Sequence, residues 1–117
     1  MNIEYVNQLL ELTCKLGASD LHLKVDNHPL IRVHGDLEAR KEFPVLSAED
    51  THALAWSVMS EAQQKRFEKE LEMDLAYEIP GLARFRTNVL QQRSAVGVVM
   101  RVIPSRVQTM DEINLPP

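Results

Sequence analysis

The most constraining feature of this sequence is a pair of alternating runs toward its carboxyl end. Phe85, Thr87 and Val89 share one parity, and Val96, Val98, Met100 and Val102 share the other. A period of two is that of a strand with one buried face, and the two runs are near enough to be joined by a tight turn. Both apolar rows reach the same face only if the numbers of cross-strand partners add to an odd value, which a turn centred on Arg93 and Ser94 satisfies. Arg86 then lies opposite Arg101 on the other face, in the company of Arg84, Asn88, Gly97 and Val99. Like charges placed directly opposite each other are unfavourable unless an anion lies near them, and Gly97 leaves room for a group to approach the backbone.

Charge along the chain is uneven in a way that bears on this hairpin. Lys and Arg number 13 and Asp and Glu 17, for a net charge of −4. Between Ile79 and Met110 there is no Asp, Glu or Lys, and the only charged residues are Arg84, Arg86, Arg93, Arg101 and Arg106. Without those five arginines the remainder holds eight basic against 17 acidic residues, a net −9. A basic zone on an acidic body implies an anionic partner at one place. Arginine at every position favours bidentate recognition of phosphate or carboxylate, because the guanidinium presents its donors in a fixed fork. A simpler reading pairs the same arginines with Asp74 and Glu78 on a neighbouring strand as surface ion pairs of little energetic weight. The pattern alone leaves both readings open.

The rest of the chain reads as helices and strands of one domain. Ile3, Val6, Leu9, Leu10, Thr13 and Leu16 recur at helical spacing before Gly17. Leu21, Leu23 and Val25, then Ile31 and Val33, predict a hairpin turning near Asn27–Pro29, followed by a weaker strand through Leu37, Ala39 and Lys41. Ser47 and Ser60 each look like helix caps. The second of those helices is expected to turn Phe67 and Leu71 inward and Gln63 and Gln64 outward. Met73, Leu75, Tyr77 and Ile79 alternate as a further strand before Pro80-Gly81. Thr109 to Glu112 could cap a short helical turn. The expected fold is α/β of the α+β kind, a mixed but mainly antiparallel sheet of about six strands flanked by helices.

Several chemistries are set aside by residue type. With 117 residues and a single cysteine, Cys14, the chain supports one core, no disulfide framework and no cysteine-based zinc site. His22, His28, His34 and His52 invite a metal, and His22 and His34 could be neighbours on the first hairpin, but no carboxylate or cysteine stands beside them at ligand spacing. Ser19-Asp20-Leu21-His22 holds the residue types of a hydrolytic triad, yet adjacent strand positions point to opposite faces. None of Gly17, Gly35, Gly81 and Gly97 is followed by the Lys-Ser or Lys-Thr of a Walker A loop, so the chain is not expected to hydrolyse ATP unaided. The only aromatic in the basic zone, Phe85, falls on the buried face, which argues against nucleic acid as the partner. No apolar run approaches the ~20 residues of a membrane span, and Glu4 and Glu11 argue against a secretory signal, so the expected location is cytoplasmic.

Ala18-Ser19-Asp20-Leu21-His22-Leu23, Pro29, Arg32, Gly35-Asp36-Leu37, the run Gly81 to Asn88, Val99 to Pro104 and Asn114 to Pro117 resemble a known family. It is that of the type IV pilus twitching-motility ATPases, hexameric motors of the secretion ATPase superfamily. The resemblance covers the whole chain but only the amino-terminal, PAS-like domain of that family, whose members continue into a RecA-like ATPase domain. It implies a PAS-like domain at 1–104 and a linker at 105–117. It further implies ATP and Mg2+ as cofactors of the full-length protein and none for this domain alone. The partners implied are a RecA-like domain of the same or a neighbouring subunit, a homohexamer when full length, and the pilus platform at the inner membrane, with this domain monomeric or weakly associating by itself. Family arginines that reach toward the nucleotide phosphates match Arg86 and Arg101, with Arg84 and Arg93 as nearby candidates. The chain departs from the family at Asp26, Asn27 and His28, where relatives often carry a glycine before Pro29. A free-standing PAS-like ligand, signalling or interaction module is the alternative, favoured by the lack of catalytic groups.

Overall fold

In a computed structural model, residues 2–93 and 95–103 are described. The chain opens with α1, Ile3–Lys15, capped by the Asn2 side chain, which accepts from the amides of Glu4 and Tyr5. Its buried stripe is Val6, Leu9, Leu10 and Thr13, and Gly17 ends it at φ +67°. Three short strands follow, β1 (Asp20–Leu23), β2 (Leu30–Val33) and β3 (Asp36–Ala39). Val25 and Lys41 lie past the ends of β1 and β3. In the first turn Asp26 has φ 67°, the left-handed conformation that glycine adopts most easily, and the β1–β2 pairing is centred on it rather than near Asn27–Pro29.

Two helices come next, α2 (Ala48–Val58) and α3 (Glu61–Glu70), each begun by a reciprocal capping box. Ser47 pairs with Asp50 in one, and Ser60 with Gln63 in the other. Two expectations for α3 fail for that reason and a related one. Gln63 folds back onto the cap, while Gln64 donates to the carbonyls of Trp56 and Met59, so neither side chain points simply outward. Phe67 is buried as expected, but Leu71 is 43% exposed. It sits in the left-handed conformation at the single residue separating α3 from the next strand, where helical periodicity no longer applies.

The chain closes with β4 (Glu72–Ile79), β5 (Ala83–Gln92) and β6 (Ala95–Ile103). All six strands form one antiparallel sheet in the order β3-β2-β1-β6-β5-β4, so the last strand inserts beside the first. The described residues thus give the expected α+β architecture. The three helices contribute to a core shared with one face of the sheet, where Leu21, Ile31, Phe85, Val89, Val98 and Met100 are buried. The β5–β6 register is the expected one, with Phe85 opposite Val102, Thr87 opposite Met100 and Val89 opposite Val98. Of the seven apolar positions only Val102 is half-buried rather than buried. The segment 105–117, expected as a linker, lies outside the described residues, as do Arg106 and the turn from Thr109 to Glu112.

Candidate functional site

Strand alternation puts everything that is not core on the second face of the sheet, which the helices leave open. One row crosses that face from edge to edge. Leu37 on β3 pairs with Arg32 on β2, Arg32 with Asp20 on β1, Asp20 with Arg101 on β6, Arg101 with Arg86 on β5, and Arg86 with Ala76 on β4. Three cations and one carboxylate therefore lie along a single line. Directly opposed residues of an antiparallel pair have Cβ atoms about 5 Å apart, so the guanidinium groups of Arg86 and Arg101 reach a common anion without backbone movement.

Asp20 is the buried member of the row, at 3% exposure. His22, two residues along the same strand and hence on the same face, meets its Oδ2 through Nε2 at 2.7 Å. Arg32 donates from Nε to that oxygen at 3.2 Å, and the Ser19 hydroxyl donates to Oδ1. Burial by itself would raise the Asp20 carboxyl, but the hydrogen bonds from Ser19, His22 and Arg32 outweigh it and hold the group below its ordinary value. Asp20 is thus an ionised carboxylate whose lone pairs are committed to one end of the row. The sequence reading separated Ser19, Asp20 and His22 because neighbours on a strand face apart. The structure joins them, since Ser19 lies just before β1 and Asp20 and His22 share a parity. They form no nucleophile–base relay, because Ser19 bonds to Asp20 and not to His22.

At the other end of the row the arginines lack such commitments. Among the described residues, no ion pair within 4.0 Å involves Arg84, Arg86, Arg93 or Arg101. Asp74, the expected rival partner, accepts instead from the Asn88 amide at 3.1 Å. Glu78 is the register partner of Arg84 on β4, without an ion pair between them. Arg84 shares the face of Arg86 about 7 Å farther along the strand, opposite Ile103. Arg93 is not part of the group. It sits at the hairpin tip with φ 50°, seven residues and roughly 23 Å from Arg86 along the strand direction.

Next to the arginine row lies a depression of about 470 Å³ that includes His22, Lys24, Asn88, Gly97 and Val99. A Cβ built on Gly97 would meet only the carbonyls of Leu23 at 3.8 Å and Leu90 at 4.0 Å, so the space over the backbone there is real. The histidines are dispersed. His22 faces Leu30 and not His34, His28 bonds to the Phe43 carbonyl, and His52 stacks on Trp56. No group of three or more metal-ligating side chains occurs among the described residues, and none of their helices is long and apolar enough to cross a membrane. The open-face arginines fit a phosphate group, while Mg2+ finds no ligand set among the described residues.

No family model matches the chain. Among individual proteins it is similar to the type IV pilus retraction ATPase PilT of Pseudomonas aeruginosa, 44% identical over 94% of this chain and 32% of that protein. It is also similar to a twitching motility protein of Neisseria gonorrhoeae, 40% identical over 75% of this chain and 23% of the relative. Among solved structures, the pilus retraction motor PilT with bound ADP superposes with a TM-score of 0.79 at 36% identity, over 93% of this chain and 32% of that one. The ATPase DotB of Legionella pneumophila, at TM-score 0.74 and 21% identity over 95% of this chain and 32% of its own, shares the fold. The chain spans about a third or less of the length of these relatives.

Proposed function

This chain is a homologue of the amino-terminal region of PilT-type pilus retraction ATPases, and from that premise we propose that it serves as the arginine-donating domain of such a motor. The observation that carries the reading is the cross-strand pair Arg86 and Arg101 on the open face, with no ion-pair partner among the described residues. In this reading a RecA-like domain of the same or a neighbouring subunit holds ATP and Mg2+. The open face closes over it. Phosphoryl transfer spreads charge over the phosphate oxygens, and fixed donors aimed at that charge lower the barrier without reorganising.

The row supplies both the fixing and the selectivity. Asp20 holds Arg32 and His22, so one arginine is consumed as structure, and the next two along the row are left to an external anion. Arg84 extends the same basic strip along β5. ATP and Mg2+ belong to the assembled protein. The assembly is a homohexamer working on the cytoplasmic side of the inner membrane against the pilus platform. In the longer protein, Arg86→Ala or Arg101→Ala should lower ATP turnover by about tenfold or more, the scale expected for removing one donor from developing charge. Unchanged turnover in both, with the fold intact, would contradict the proposal.

A further inference from the structure

The helix side of the molecule carries a groove of about 750 Å³ between α2, α3 and the far end of the β5–β6 hairpin. Phe67 lies in its floor, 1% exposed. The Trp56 ring stands edge-on to Phe67, with centroids 5.8 Å apart and planes at 82°. His52 stacks on Trp56, at 4.2 Å and 22°. Glu49 and Glu68 are exposed on its rim, and neither makes an ion pair within 4.0 Å among the described residues.

Leu71 lines the groove as well, and it is the anomaly of the region. Its backbone is in the left-handed conformation, φ 59° and ψ 20°, where helices are usually stopped by glycine and where a bulky side chain is strained. The position is fixed on both sides. The Leu71 amide donates to the Phe67 carbonyl at 2.7 Å, and the Leu71 carbonyl accepts from the Gln91 amide at 3.0 Å. Despite that strain the side chain is 43% exposed, so the fold gains little from a leucine that a glycine would not supply. Strained residues persist where they serve something beyond the fold.

We propose that this groove docks a segment of a partner protein in which an arginine or lysine adjoins an aliphatic side chain. The exposed carboxylates of Glu49 and Glu68, in the same groove as the His52–Trp56 stack, select a cation. The exposed Leu71 and Ala48 receive the aliphatic neighbour above the buried Phe67, and an aromatic ringed by polar residues is the usual make-up of an interface anchor. The groove lies on the opposite side of the sheet from Arg86 and Arg101, so the proposal stands independently of the nucleotide reading.

Trp56 is the only tryptophan in the chain, and its fluorescence reports on the groove directly. A short arginine–leucine peptide titrated into the 117-residue chain should change that emission saturably, and a glutamate–leucine peptide of equal length should not. The double substitution Glu49→Gln and Glu68→Gln should weaken the arginine–leucine peptide tenfold or more. Leu71→Gly separates a binding role from a structural one: it should raise Tm while also weakening the peptide. The proposal is overturned if there is no saturable change up to millimolar peptide or an equal response to the acidic peptide. It is equally overturned by emission that depends on protein concentration alone, which would make a second copy the occupant, or by a Leu71→Gly variant with lowered Tm and unchanged peptide binding.

Discussion

Arg86 and Arg101 are directly opposed across the β5–β6 ladder, two guanidinium-bearing residues on an open face beside a carboxylate that is already bonded elsewhere. The fold alone gains nothing from this pairing. Opposed like charges in a sheet are destabilising by a few tenths to about 1 kcal/mol, and the penalty shrinks as salt screens it. Replacing Arg86, whose other cross-strand neighbour is Ala76, by glutamine in this chain should therefore raise thermal stability slightly at low ionic strength, with the gain disappearing in high salt; Arg101 also faces the Asp20 carboxylate, and its replacement should gain less. Melting curves at the two salt levels check it; a loss of stability at both would mean that the arginines are held by partners of their own.

Asp20 should behave in the opposite way. Its hydrogen bonds with Ser19, His22 and Arg32 are charge-assisted, and Asp20→Asn should cost about 2 kcal/mol at neutral pH. Because the folded-state pKa lies below the unfolded value, the contribution is fully present above the unfolded pKa of about 3.9 and is lost as pH falls through the folded one. Urea denaturation between neutral pH and about pH 3 should show the gap between wild type and variant closing at the acid end. A gap that stays constant would contradict the assignment of Asp20 as the ionised member of the row.

Gly97 offers a test of whether the depression beside the arginines needs a bare backbone. A Cβ at this position makes only ordinary contacts, and glycine inside a strand is less stable than alanine by roughly 0.5–1 kcal/mol. Gly97→Ala should then stabilise the isolated chain by about that amount in a denaturant titration. Destabilisation would show that the local backbone is tighter than the structure has it.

The register of the last hairpin was legible because seven apolar positions and one short turn admit a single pairing, and a slip by one residue would turn the valine row to solvent. The helix caps were legible at Ser47 and Ser60, since capping is local chemistry. What escaped depended on contacts between distant segments. Asp20 and Arg32 meet because β1 and β2 pair about a centre at Asp26; parity alone places the two on one face, but a turn near Asn27–Pro29 pairs His22 with His34 instead, and the shift of centre has no signal in the alternation. The insertion of β6 beside β1, which sets Asp20 opposite Arg101, has no local signature at all. Leu71 was expected inward because helical spacing was carried one residue too far, into the position where the chain reverses into β4. The groove that Leu71 helps to line went unread for the same reason.

The most direct measurement is the structure of this chain assembled with the RecA-like domain proposed for it, bound to a non-hydrolysable ATP analogue and Mg2+. The account predicts that the guanidinium of Arg86 or Arg101 donates to a phosphate oxygen at about 2.8 Å, from a face of the sheet that is open in the isolated domain, with Asp20 still bonded to Arg32. Both arginines turned to solvent in the nucleotide-bound, closed state, with the phosphates held entirely by other residues, would contradict it.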